Sequence, residues 1–125
     1  LVTALMDAVG KTAWVSEESL IDAVTAVSGS GPAYVFLLAE VLAEAGRAAG
    51  LPAELADQIA RQTVIGAGAL LGGSPLDPAT LRKNVTSPGG TTAAALAVLM
   101  ADGGMQDLMT AAVAAATQRS RELAG

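Results

Sequence analysis

The sequence predicts an all-α domain built from several helices, and three observations point there. Alanine fills 28 of the 125 positions while aromatic residues reach only 2%. That balance suits closely packed helices and deprives a sheet of the branched and aromatic side chains it favours. Apolar residues also recur at three- and four-residue spacing in each long segment, and clusters of Gly, Pro and Ser separate those segments. At this length a single domain is expected, with a folded surface of roughly 6,000 Å² against about 18,000 Å² for the extended chain. It needs no metal or disulfide staple.

The first apolar face is Leu1, Leu5, Met6 and Val9, read as a helix end stopped by Gly10. Trp14 and Val15 lead to Ser16 as a cap, with Glu17 and Glu18 in an acidic first turn that suits the positive end of a helix dipole. Leu20, Ile21, Val24 and Val27 continue that helix. Ser28-Gly29-Ser30-Gly31-Pro32 is then expected to interrupt it, with Pro32 at the first position of the next helix. From Ala33 to Ala49 the stripe Tyr34, Leu37, Leu38, Val41, Leu42 and Ala45 predicts a long helix, whose other side carries Glu40, Glu44 and Arg47. Glu44 and Arg47 are one turn apart and can pair.

Gly50 stops this helix, and Leu51-Pro52 starts another through Leu55, Ile59, Thr63 and Ala67. Gly66 and Gly68 lie inside it at a cost of about 1 kcal/mol each, for which close helix contact is the expected compensation. Gly72 to Pro75 ends that element. Asp77 caps a short helix entered through Pro78 and running to about Lys83. Asn84 to Gly90 reads as a turn-rich loop, after which Thr91 or Thr92 caps a helix over Ala93 to Met100. Asp102-Gly103-Gly104 breaks the chain before a last helix from about Met105 to Leu123, whose small face is Ala111, Ala112, Ala115 and Ala116.

Composition excludes several functions. Seven basic against twelve acidic residues give a net charge of −5, so no basic stripe for nucleic acid is available. Histidine and cysteine are absent, which removes an imidazole base, a thiol nucleophile and a soft-metal site. The acidic residues lack the alternation of a calcium loop. No segment has the build of a secretion signal. The uncharged stretch Ala23–Ala39 is divided by its Ser-Gly-Ser-Gly-Pro, which argues against a membrane span. A cytoplasmic protein is the expectation. Hydrophobic residues at 52% with charged residues at 15% make a paler surface than a soluble monomer carries, so an interlocked homo-oligomer is expected.

Two loops stand out. Thr86-Ser87-Pro88-Gly89-Gly90-Thr91-Thr92 places hydroxyls and open backbone at a helix start, where amide donors lack intrahelical partners. Those donors suit a carboxylate or phosphate, and the same residues equally suit an elaborate cap. Ser28 to Pro32 fits neither a dinucleotide fingerprint nor a P-loop, leaving a tight connection or a site where a partner backbone crosses. Trp14 suits a core, an interface or a ligand platform. Arg82 and Lys83 either attract an anion or serve as the basic last turn of their helix.

The stretches Asp22-Ala23-Val24-Thr25-Ala26-Val27-Ser28-Gly29-Ser30-Gly31-Pro32-Ala33-Tyr34 and Asn84-Val85-Thr86-Ser87-Pro88-Gly89-Gly90-Thr91-Thr92 resemble the pyrroline-5-carboxylate reductase family. Gly50-Leu51-Pro52 and Arg119-Ser120-Arg121-Glu122-Leu123 are similar to it as well, and the likeness runs in order along the whole chain. The resemblance implies an NADPH- or NADH-dependent oxidoreductase that reduces the C=N bond of 1-pyrroline-5-carboxylate to L-proline, the last step of proline biosynthesis. It implies a multi-helix domain like the C-terminal domain of 6-phosphogluconate dehydrogenase, interlocked with a second copy. Residues 1–125 would be the C-terminal dimerisation and substrate-binding domain, without the N-terminal Rossmann domain.

By residue match, the resemblance assigns substrate binding to Ser87, Gly89, Gly90, Thr91 and Thr92. Thr92 is the catalytic position, its hydroxyl bonding the ring nitrogen, and Ser87 helps hold the carboxylate. In some relatives an acidic residue stands shortly before this loop; Asp77 is offset from it and does not take that role. The implied partners are a homodimer through the helices, with dimers assembling as far as a decamer, and no nucleic acid or membrane. No cofactor is expected to bind this stretch stably, no metal is expected, and alone it is expected to be inactive. The alternative is a helical self-association module without ligand binding of its own.

Overall fold

The computed structural model describes residues 19–125. The expected first helix, Trp14 and the Ser16-Glu17-Glu18 start lie outside the described residues. Within them all regular structure is helical: α1 (Ser19–Val24), a π-helical turn (Thr25–Gly29), α2 (Gly31–Ala48), α3 (Ala53–Gly73), α4 (Pro78–Asn84), α5 (Thr91–Leu99) and α6 (Met105–Ala124). The described residues form two compact bodies, one made of 19–34 with Met100–Gly125 and the other of Val35–Leu99.

In the first body α6 packs against α1 and the π turn. Its half-buried residues Val113, Ala116, Thr117 and Ser120 fall at helical spacing, so this face is turned inward; of the small face Ala111, Ala112, Ala115 and Ala116, Ala116 lies on it and the other three are exposed. Ser120 Oγ donates to Asp22 Oδ1 at 2.7 Å, tying α6 to α1 across 98 residues of sequence. Arg121 Nε stands 4.0 Å from the other carboxylate oxygen.

The expected interruption at Ser28 to Pro32 is instead a wider helical turn. Ser30 N donates to Thr25 O at 2.9 Å, five residues back, and Ser30 itself keeps helical angles. Pro32 has no N–H to continue the ordinary ladder, so the extra residue is absorbed as a π turn rather than a loop. Tyr34 Oη donates to the carbonyl of Ala26 at 2.7 Å, and Ala26 is fully buried. Leu20–Ala48 thereby becomes a single helical run that is long and apolar enough, by length and composition, to cross a membrane. The expected division of this run by Ser-Gly-Ser-Gly-Pro does not occur. Among the described residues little of the run is buried.

In the second body α2 ends where the sequence places its stop. Gly50 takes φ +108, Leu51 N donates to Gly46 O and Gly50 N to Arg47 O, both at 3.0 Å. This is a Schellman ending, which needs a residue free to adopt positive φ. A Cβ on Gly46 would stand 3.2 Å from Leu51 Cδ1 and 3.5 Å from Ala56 Cβ, so glycine lets α2 and the start of α3 meet closely. Arg47 clamps the corner: its guanidinium bonds Glu44 at 2.9 Å, Asp57 at 2.8 Å and the Ala53 carbonyl at 3.4 Å. The hydrogen bond that the guanidinium donates to Asp57, then that to Glu44, holds its pKa above its ordinary value.

Among the described residues Gly66 and Gly68 do not receive the close contact expected for them: a Cβ at either position would meet nothing within 4 Å. More generally, the buried residues among those described are Ala26, Ala43, Ala56 and Ala60, all small. Large apolar side chains such as Phe36, Leu108 and Leu123 are each about 70% exposed. Among the described residues no large apolar side chain is buried, so those side chains contribute little of the stabilisation that burial would give.

Candidate functional site

The approach to the Ser87–Thr92 loop is built by local chemistry. Asp77 caps α4 by accepting from Thr80 N at 2.8 Å, with Pro78 at the first helical position. The hydrogen bonds from Thr80 hold the Asp77 carboxyl below its usual pKa. At the other end Thr86 Oγ1 donates to Arg82 O at 2.6 Å and Thr86 N to Lys83 O at 3.1 Å. Arg82 and Lys83 therefore form the basic last turn of α4, and their carbonyls fix where the loop begins. No Asp or Glu occurs between Asp77 and Asp102, so these two cations are the only charges along this stretch of chain.

Ser87-Pro88-Gly89-Gly90 is a tight turn closed by Gly90 N donating to Ser87 O at 3.1 Å. Pro88 presets its own φ, and Gly89 takes φ +69 at the next position, the arrangement of a type II turn. A Cβ on Gly90 would stand 3.3 Å from the Ser87 carbonyl oxygen, tighter than most real contacts. Each glycine is thus favoured for a different reason, Gly89 for its positive angle and Gly90 for the close approach of the Ser87 carbonyl.

The first α-helical bond of α5 runs from Ala94 N to Gly90 O at 3.2 Å. Gly90, not Thr91 or Thr92, therefore occupies the cap position. The turn delivers the Gly90 carbonyl in line with the helix, and both threonines fall in its first turn. Among the described residues neither threonine hydroxyl makes a capping hydrogen bond. The N–H groups of Thr91, Thr92 and Ala93 precede the first such bond and have no intrahelical acceptor. They lie at the positive end of the α5 dipole, where a carboxylate or phosphate is favoured.

All five residues singled out in the sequence thus come together in one turn and one helical start. Thr92 is half-buried and Ser87, Gly89 and Thr91 are exposed, so the hydroxyls and amides can meet a ligand from solvent. Among the described residues no group of three or more His, Cys, Asp or Glu can hold a metal ion. Asp107, unassigned from sequence, is engaged structurally: it accepts from Gly103 N at 2.6 Å at the start of α6. A groove of about 400 Å³ between α2 and α3, lined by Val35, Phe36, Ala39, Arg61, Val64 and Ile65, has no sequence signal of its own. The apolar spacing that produced it is that of any core-facing helix.

Residues 18–123 match the family model described as pyrroline-5-carboxylate reductase dimerisation. The chain is 49% identical to a pyrroline-5-carboxylate reductase of Pseudomonas aeruginosa over 120 residues, covering 96% of this chain and 44% of that one. Its structure resembles that of a pyrroline-5-carboxylate reductase from Coxiella burnetii, with a TM-score of 0.82, 44% identity, and coverage of 88% of this chain and 40% of the other. It also resembles the Plasmodium falciparum pyrroline carboxylate reductase with NADP bound, at TM-score 0.79 and 36% identity, covering 87% and 41% of the two chains. The chain spans less than half the length of the curated relatives it matches.

Proposed function

Because the chain belongs to the pyrroline-5-carboxylate reductase dimerisation family, we propose that it is the helical, substrate-binding half of an enzyme that reduces 1-pyrroline-5-carboxylate to L-proline. The observation that carries the reading is the Ser87–Thr92 segment: a type II turn followed by three open amides at a helix start. The amides and Ser87 would hold the substrate carboxylate, with Gly89 and Gly90 letting the backbone approach it. Thr91 and Thr92 would flank it, and the Thr92 hydroxyl would donate to the ring nitrogen and fix the orientation of the C=N bond. Orientation of this kind accelerates a reaction by holding a near-attack geometry. A threonine hydroxyl is a poor acid, so Thr92 orients and the proton comes from another source.

The hydride source of the complete enzyme would be NADPH or NADH. A Rossmann domain elsewhere in the complete enzyme would cradle that dinucleotide. Residues 1–125 would thus serve as the C-terminal dimerisation and substrate domain of a longer cytoplasmic chain carrying a Rossmann domain. The uncovered apolar helices support an interlocked homodimer, and dimers would build assemblies up to a decamer. The same exposure favours a second reading, a self-association module without a ligand.

Thr92→Ala in the complete enzyme separates the two. Lower turnover with the fold and dimer retained is expected; an unchanged rate removes Thr92 from the site. A dimer that binds no L-proline at any concentration tested would leave the self-association reading alone standing.

A further inference from the structure

We infer that Arg82 and Lys83 steer the substrate carboxylate into the Ser87–Thr92 loop, acting as positioning charges and not as contact residues. The inference rests on the ligand reading proposed above for that loop. It adds how an acidic chain draws in an anion.

The difficulty is electrostatic. Twelve acidic residues stand against seven basic ones, and without Arg82 and Lys83 only five basic residues would remain. The field of such a chain repels a substrate that carries a carboxylate. The loop adds a local difficulty, because it runs from the C-terminus of α4 to the N-terminus of α5. The α5 start attracts an anion, but the last carbonyls of α4 present the negative end of a helix dipole. Those carbonyls adjoin the loop. Arg82 O accepts from Thr86 Oγ1 at 2.6 Å and from Val85 N at 3.3 Å, and Lys83 O accepts from Thr86 N at 3.1 Å.

Arg82 and Lys83 reverse the sign there. A helix end carries at most about half an elementary charge, against which they set two full positive charges. Arg82 is half-buried and Lys83 exposed. Among the described residues the ion pairs are made by Arg47, Arg119 and Arg121, and neither Arg82 nor Lys83 joins one. Asp77, the nearest acid before them in the chain, sits at the opposite end of α4 with its carboxylate engaged by Thr80 N at 2.8 Å. The next acid, Asp102, comes only after α5. The hydrogen bonds that close α4 use backbone carbonyls that any residue would supply, so the two charges themselves are not engaged by the turn. They act on what approaches it.

Two unit charges about 10 Å from a carboxylate raise its local concentration about threefold at an ionic strength of about 10 mM, and hardly at all at about 0.5 M. The test is steady-state kinetics of the complete enzyme across that salt range, with 1-pyrroline-5-carboxylate varied at saturating reduced dinucleotide. Arg82→Gln combined with Lys83→Gln should lower kcat/KM about threefold at low salt, through KM with kcat unchanged, and the gap to wild type should close at high salt. A purely structural loss would persist at high salt. Arg82→Lys keeps the charge and should keep the wild-type kcat/KM and salt dependence. Should the double variant fail to fold, Lys83→Gln alone, at an exposed position, should show the same salt-dependent loss at about 1.7-fold.

Wild-type salt dependence in the glutamine variants, together with a slowed Thr92→Ala, overturns the steering and leaves the loop reading intact. Thr92→Ala at the wild-type rate overturns the loop reading, and the steering falls with it. A salt-dependent loss that appears only when the dinucleotide is varied assigns the two charges to the dinucleotide phosphates and also overturns the inference.

Discussion

Removing one oxygen atom from Tyr34 tests whether the π turn is held by a tertiary hydrogen bond or merely tolerated. Tyr34→Phe keeps the ring and deletes the 2.7 Å donor to the carbonyl of Ala26, a residue with no exposed surface. A buried carbonyl deprived of its donor costs about 1–3 kcal/mol, against about 1 kcal/mol for an average solvated exchange. With a urea dependence of about 1–3 kcal/mol per molar, the midpoint should fall by roughly 0.5–1.5 M. Because the protein is proposed to associate, the comparison belongs at one fixed protomer concentration.

Ser28→Ala is the control. It also deletes one hydroxyl near the turn, but the 2.9 Å bond lost is a local back-bond from Ser28 to the Val24 carbonyl. Such bonds contribute little to a helix, so a midpoint within about 0.3 M of wild type is expected. Equal effects from the two variants, or no effect from Tyr34→Phe, would refute the claim that Tyr34 secures the turn.

Other positions lend themselves to direct tests. Gly50→Ala forces a side chain onto φ +108 and should cost about 1–3 kcal/mol, seen as a lower urea midpoint with helical content preserved at zero urea. Asp77 has a depressed carboxyl pKa in the folded state, so its contribution is present above the unfolded value near 3.8 and is lost as pH falls through the folded value. Asp77→Ala should accordingly be less stable than wild type at pH 7, with the difference shrinking in acid; a difference constant from pH 7 to pH 2 would contradict the cap.

Much of the local structure follows from adjacent residues, because caps and turns are decided within four or five positions. Asp77-Pro78 starts α4, Gly50 ends α2 through a positive φ, and Pro88-Gly89 sets the turn that presents Thr91 and Thr92. The candidate ligand segment was legible for the same reason, since its five residues are contiguous and their geometry is made by one turn and one helical start. Gly90 as the cap was less legible, because threonine and glycine cap about equally well and the sequence offers both. The bonds from Gly90 N to Ser87 O and from Ala94 N to Gly90 O place the helix start at Gly90.

Other features depend on residues that meet only after folding. Nothing local marks Asp22 as the acceptor for Ser120, nor Tyr34 as the donor that secures a helical turn eight residues earlier. Ser28 to Pro32 looks like a break because glycine and proline usually make one. Only the i-to-i−5 bond from Ser30 to Thr25 shows that the helical path continues. Composition, the three- and four-residue spacing of apolar side chains and the Gly, Pro and Ser breakers together pointed to a helical chain with a paler surface than a soluble monomer carries. Which faces are covered was decided by tertiary structure: α1 and the π turn cover one face of α6, alanines are the buried residues among those described, and on α5 Thr92, Ala93 and Leu96 are half-buried while Val98 and Leu99 stay exposed. Periodicity marks an apolar face, but only packing determines what lies against it.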